Sequence, residues 1–135
     1  MIYRFKDWLA PFLGVNGTDE QFYRDGFLAL YALDYQGARV ANCWMTAEKG
    51  TKVMKLNDLV VRPTWRGRGV VRLLLGGGMK LAKMLGMRKV VGYITQSDFQ
   101  KSPWVAGWYE NLGFELLPPV FSDYLGAVFR IEFEY

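Results

Sequence analysis

Two periods of apolar residues run along this chain. In residues 1–14 the apolar positions Ile2, Phe5, Leu9, Phe12 and Leu13 approximate a helical repeat. Thr18 with Gln21 forms a capping box, which predicts a short helix to about Asp25. Residues 27–35 are apolar and β-compatible, Gln36-Gly37 is a turn, and residues 39–48 return as the second arm of a hairpin. Gly50-Thr51 turns again, and residues 55–61 predict a third strand closed by Pro63. Residues 69–85 form the best helix pattern, with Gly86 as its C-cap. Residues 89–95 read as a strand, and Ser102-Pro103 opens a helix that runs to Leu112 and stops at Gly113. Residues 114–117 and 127–135 are two last strands around a Pro118-Pro119 loop. This order predicts a single α+β domain over residues 1–135, built on a mixed sheet. One local conflict stands inside it. Gly76-Gly77-Gly78 interrupts the long helix, and each glycine costs about 1 kcal/mol relative to alanine. The helix is kept because three glycines also permit very close packing against a sheet.

Composition narrows the classes. Apolar residues make up 51% of the 135, enough for a real core. No apolar run approaches the roughly 20 residues of a membrane span, and the N-terminal residues do not read as a signal peptide. Cys43 is the single cysteine, so no internal disulfide forms, which fits a reducing, cytoplasmic compartment. Histidine is absent, which removes His-based metal sites, triads and imidazole bases, and no metal is expected.

Charge is unevenly spread. Residues 59–97 contain no Asp or Glu but eight bases: Arg62, Arg66, Arg68, Arg72, Lys80, Lys83, Arg88 and Lys89. The rest of the chain carries nine of the 17 bases and all 13 acids. A solvated basic helix face is the plain explanation, and an electrostatic site for an anion is the sharper one. The local sequence favours the second. An apolar run stops at Pro63, and Trp65-Arg66-Gly67-Arg68-Gly69 then opens a helix. Glycines let backbone N–H groups approach a ligand, the helix N-terminus favours negative charge, and arginine pairs well with phosphate. The P-loop pattern is absent, and the dinucleotide pattern fails because Arg72 stands where its third glycine belongs.

The remaining match is [QR]-x-x-G-x-[GA], the pyrophosphate motif of coenzyme A-dependent acyltransferases, which Arg66-Gly67-Arg68-Gly69 fits in its first four places. With the strand before it, this stretch resembles the central strand, turn and helix of the GNAT acetyltransferase superfamily. Downstream, Trp108-Tyr109-Glu110-Asn111-Leu112-Gly113-Phe114 is similar to the family's Leu-Tyr-Glu-Lys-Leu-Gly-Phe signature. Together the two motifs extend the resemblance over residues 27–135. It implies a mixed, mostly antiparallel sheet flanked by helices, with a shortened or altered N-terminal part.

The resemblance also implies roles. Backbone groups of Leu59, Val60 and Val61 would lie along the pantetheine arm of acetyl-CoA, the cosubstrate. The N–H groups of Arg66, Gly67, Arg68, Gly69, Val70 and Val71 would hold its pyrophosphate. Tyr109 would protonate the departing thiolate, a step suited to a phenol of ordinary pKa about 10. Its plain alternative is a core aromatic between Trp108 and Phe114. The chain departs from the family at several places. Val71 replaces a small residue of the motif. Ser102, a further expected coenzyme contact, and Val105 stand where the family often has Asn and Ala. Lys55 occupies the region of the usual base carboxylate, which leaves Glu48 and Asp58 as the nearest alternative carboxylates. Trp65 and Trp104 flank the motifs and are read first as ordinary packing, like most of the aromatics, and Cys43 as buried.

Three functions follow in order. The first is direct transfer of an acetyl group from acetyl-CoA to an amine, on a small molecule or a protein. The second is a GNAT-like binding or assembly module without catalysis, meeting a protein partner or a second copy of itself. Nucleic-acid binding through the basic segment ranks last, since neither aromatic–basic interleaving nor a helix-turn-helix signature accompanies it.

Overall fold

Register decides which side chains meet. In this computed structural model, residues 13–16, 27–34, 36–47, 50–120 and 126–135 are described. They form β1 (Leu13–Asn16), β2 (Phe27–Leu33), β3 (Arg39–Ala47), β4 (Val53–Val61), a 3-10 turn (Pro63–Trp65), α1 (Val70–Met84), β5 (Lys89–Thr95), α2 (Gln96–Lys101), α3 (Val105–Asn111), β6 (Glu115–Leu117) and β7 (Ala127–Glu134). The strands make one sheet in the order β1-β2-β3-β4-β5-β7-β6. All neighbours are antiparallel except β4 and β5. The α+β class with a mixed, mostly antiparallel sheet is therefore observed. Among the described residues no helix is long and apolar enough to cross a membrane.

Two local expectations are corrected. Leu13 and Gly14 belong to β1, pairing with Ala32 and Tyr31 of β2, where a helical repeat was expected to reach residue 14. Sheet pairing overrides a local period whose other members, residues 1–12, lie outside the described residues. The Thr18/Gln21 capping box also lies outside them. The second correction is α2, which the apolar pattern did not suggest. Thr95 caps it, its Oγ1 accepting from the Asp98 N–H at 3.1 Å. The helix expected from Ser102-Pro103 begins two residues later, at Val105.

Helix α1 survives its three glycines because of what they face. Val70, Leu74, Leu75, Gly78 and Ala82 are its buried residues, on the face that meets β2, β3 and β4. A Cβ on Gly78 would lie 3.1 Å from Met45 Sδ and 3.6 Å from Cys43 Sγ, so this position is bare for close approach to the sheet. Gly76 is different, because a Cβ there would meet nothing within 4 Å. Gly76→Ala is therefore expected to stabilise the fold by about 1 kcal/mol through helix propensity. That corresponds to a thermal midpoint higher by about 3–5 °C. Gly78→Val is expected to lower the midpoint, since overpacking costs about 1–3 kcal/mol. Calorimetry showing both variants shifted in the same direction would contradict this reading of the helix. Past its middle α1 is tied to the residue that follows β7, where the Tyr135 hydroxyl donates to the Met79 carbonyl.

Leu30, Cys43, Met45, Met54, Val90, Ile94, Phe114 and Ile131 join the α1 residues in one buried cluster. Beyond β5, Lys89 Nζ lies 3.1 Å from Glu132 Oε2, and Arg130 Nε lies 2.9 Å from Glu132 Oε1. Burial pushes the Glu132 carboxyl up, but the hydrogen bonds from Lys89 and Arg130 outweigh it and hold the group below the ordinary carboxylate range.

Candidate active site

The site begins where the two parallel strands separate. β4 and β5 pair only at Val53 with Lys89, Met54 with Val90, and Lys55 with Val91. Among the described residues β4 then continues to Val61 bonded only to β3, and β5 continues to Thr95 bonded only to β7. A wedge opens between them, edged by backbone groups that have no strand partner on that side among the described residues. β4 bends as it enters the wedge. Trp44 of β3 pairs with Asp58 but Met45 pairs with Leu56, so Asn57 is the extra residue of a bulge. Its amide Nδ2 donates to Thr46 Oγ1 at 2.7 Å, which fixes the bend.

Leu59, Val60 and Val61 line the open part of β4, after the bulge. The turn that follows supplies the donors. Arg66 N–H is committed to the Pro63 carbonyl at 3.2 Å, and the first helical bond runs from Leu73 N–H to Gly69 O at 3.0 Å. Among the described residues, the amides of Gly67, Arg68, Gly69, Val70, Val71 and Arg72 donate to no backbone carbonyl. The free donors thus begin at Gly67 and extend to Arg72, one residue beyond the expected set. The signal for Arg72 was general: a helix leaves the amides of its whole first turn without a partner. Gly67 at φ +74° and Gly69 at φ +78° hold the turn in left-handed conformations that favour glycine. Neither would meet anything within 4 Å if given a Cβ, so the turn's outer surface is open.

Arg62, Arg66, Arg68 and Arg72 are exposed around these amides. Among the described residues none of the four has a carboxylate partner. Arg68 stacks over the half-buried Trp65 ring, its guanidinium carbon 4.9 Å from the centroid. Free amides at a helix N-terminus inside unpaired arginines are complementary to an anion of high charge. Val71 is half-buried and leaves this arrangement intact.

Tyr109 approaches from α3. Its ring stands edge-on to Trp108 at 5.0 Å and to Phe114 at 5.4 Å. The turn after α3 returns to it, with Leu112 N–H and Phe114 N–H both donating to its carbonyl at 3.0 and 3.1 Å. Burial raises the phenol above its ordinary value of 10, and the nearby Cys43 thiol and Asp98 carboxylate add to that. Cys43 is the cross-strand partner of Leu59, so the phenol is close to the wedge. Leu59, Val61, Trp65 and Tyr109 all pack against the same core cluster. Cys43 itself is fully buried, and burial followed by Asp58 pushes its thiol up to about 12. It is a neutral core group at physiological pH, as its sequence context suggested.

The remaining candidates are scattered. Ser102 joins α2 to α3, its N–H donating to Asp98 O at 2.8 Å and its carbonyl accepting from Val105 N–H at 3.0 Å. Asp58 points to the other face of the sheet, where Asn42 Nδ2 donates to it across a long 3.5 Å. Glu48 lies outside the described residues. Lys55 sits at the root of the wedge with Nζ 5.6 Å from the Tyr93 ring centroid. Trp104 is 66% exposed, against the ordinary packing expected of it, and Trp44 is 47% exposed. An open basin of about 690 Å³ lined by Lys52, Val53, Arg88, Lys89, Glu134 and Tyr135 lies at the closed end of the wedge and includes neither motif.

A two-strand wedge leading to a free-amide turn defines a class that the comparisons identify. The family model for the acetyltransferase (GNAT) domain matches residues 18–116. The chain belongs to the GNAT acetyltransferase family. None of the curated protein sequences matches it. Among solved structures it resembles the PaiA N-acetyltransferase of Thermoplasma acidophilum, solved in complex with coenzyme A, at TM-score 0.67 and 18% identity, over 87% of this chain and 67% of that one. An IAA acetyltransferase from Bacillus cereus aligns at TM-score 0.65 and 18% identity, over 96% of this chain and 91% of that one. A GNAT-family acetyltransferase of Staphylococcus aureus aligns at 0.68 and 13%, over 86% and 72%. At these identities the likeness is one of fold.

Proposed function

We propose that this chain binds acetyl-CoA in the wedge between β4 and β5 and passes the acetyl group directly to an amine. The observation that carries the reading is the continuity of the unpaired β4 edge with the free amides of Gly67 to Arg72. The amides and arginines of the turn hold the pyrophosphate, and the open β4 edge at Leu59, Val60 and Val61 hydrogen-bonds the pantetheine arm. The acceptor nitrogen attacks the thioester carbonyl, whose oxygen takes up negative charge against a β4 amide. The C–S bond then breaks and Tyr109 gives its proton to the leaving thiolate. The proton on the new amide nitrogen leaves to water or to a carboxylate. Lys55 does not serve as that base, since an ammonium has no lone pair to accept with. The amine therefore arrives uncharged at the reacting nitrogen.

Lys55 at the expected base position also favours a second reading, binding without turnover. One experiment separates the two. Calorimetric titration with coenzyme A, followed by thiol release from acetyl-CoA across a panel of primary amines, is expected to give saturable binding and turnover. Binding without thiol release would favour the second reading. No binding at millimolar coenzyme A would defeat both.

A further inference from the structure

Four arginines ring the phosphate turn, and they are not equivalent. Among the described residues the side chains of Arg62, Arg66 and Arg72 make no ion pair and lie over no ring. Arg68 lies over Trp65, its guanidinium carbon 4.9 Å from the ring centroid, within the range of a cation–π contact. The indole is itself fixed. Its ring is half-buried and packs against the core cluster. Its backbone is pinned by the 3-10 turn, where Trp65 N–H donates to Arg62 O at 2.9 Å. Gly67, at φ +74°, turns the chain between the two residues.

We propose that Trp65 is a positioning residue, a shelf that holds the Arg68 guanidinium beside the free amides of the turn before a phosphate arrives. This rests on the coenzyme A site of the transferase reading and goes beyond it in giving the indole a role in affinity. Stacking engages the face of a guanidinium and leaves its edge N–H groups, the ones that donate to phosphate oxygens. The two uses therefore do not compete. A loose arginine loses rotamer freedom when it closes on a ligand, and one already held loses less. Arg68 also stands among the donors it assists. Its own N–H and those of Gly67 and Gly69 donate to no backbone carbonyl among the described residues.

The test is a double-mutant cycle read by calorimetric titration with coenzyme A. Arg68→Gln is expected to weaken binding by about 10-fold and Trp65→Leu by about 5-fold. Without Arg68 the shelf holds nothing, so the double variant is expected to bind about as Arg68→Gln does, and not about 50-fold below the wild type. Trp65→Phe keeps a ring and is expected to retain most of the affinity. Arg72→Gln is the control, since Arg72 lies outside the stack, and its loss is expected to multiply with that of Trp65→Leu. A Trp65 that only supported the fold would couple to both arginines or to neither. Losses that multiply for Trp65 and Arg68, or equal coupling to Arg72, would overturn the proposal alone. A wild type that binds no coenzyme A would overturn it together with the transferase reading. Thermal midpoints show whether Trp65→Leu folds. Should it not, 15N relaxation of the arginine Nε–H groups in the unliganded wild type decides the matter. Arg68 is expected to be more ordered than Arg62, Arg66 and Arg72, and equal order would overturn the proposal.

Discussion

Gly69→Glu is expected to weaken coenzyme A binding by about 100-fold or more while the protein stays folded. Gly69 caps α1 at φ +78°, a conformation that costs a residue with a Cβ about 1–2 kcal/mol. Relief of that strain rotates the peptide units of the turn, and the amides from Gly67 to Arg72 lose their common direction. The added carboxylate then faces the same space as the phosphates. Two like charges about 4 Å apart near a protein surface repel by about 4 kcal/mol, before salt screening reduces it. Half of that, added to the strain, already gives the stated factor. Nothing lies within 4 Å of a Cβ at this position, so the core is untouched. Calorimetry with coenzyme A, alongside a thermal melt, checks both halves of the expectation. Undiminished affinity in a folded variant would remove the turn from the binding site.

Tyr109→Phe is expected to lower kcat by about 100-fold, with the KM for acetyl-CoA little changed. The phenyl ring keeps the edge-on contacts to Trp108 and Phe114, so the variant loses only the proton donor. The pH profile sharpens the test. Burial holds the phenol above its ordinary 10, so the group is protonated throughout the neutral and mildly alkaline range. Its ionisation therefore produces no fall in rate below about pH 10. With Lys55 in place of a base carboxylate, kcat/KM rises with pH until the acceptor amine is itself neutral. The Phe variant is expected to keep that rise at a lower level. Stopped thiol-release assays from pH 6 to pH 10 measure both profiles. A variant with undiminished kcat would assign Tyr109 to packing alone.

Most of the fold was legible because its elements carry local signals. The strand at residues 89–95 is a branched and aromatic run between a glycine turn and polar residues, and its observed bounds match. The long helix was legible through its apolar period and Gly86, which takes the left-handed C-cap conformation at φ +85°. β1 was not, because Leu13 and Gly14 acquire their strand character from β2 and not from their neighbours. α2 has only one large apolar residue, Phe99, so periodicity was silent. Its capping pattern from Thr95 to Asp98 was there to be read.

The site divides along the same line. The phosphate turn was legible because backbone conformation is written in glycine, and Gly67 and Gly69 both take positive φ. The loss of the Arg66 amide to Pro63 depends on the 3-10 turn, which the sequence did not announce. Trp44 fell under the general expectation that most of the aromatics are core. Its exposure comes from the face it occupies, and the bulge at Asn57 sets where Asp58 falls in register with it. A bulge inserts one residue and swaps the faces of all that follow, so alternation read before it does not place Asp58.

The central claim is that the free amides after the wedge bind a diphosphate. Its most direct test is an amide-resolved 1H–15N titration of the protein with coenzyme A. The largest shifts are expected at Gly67 through Arg72, with a second group at Leu59 to Val61. Saturating coenzyme A that leaves those amides unmoved, or moves only a distant set, would contradict the account.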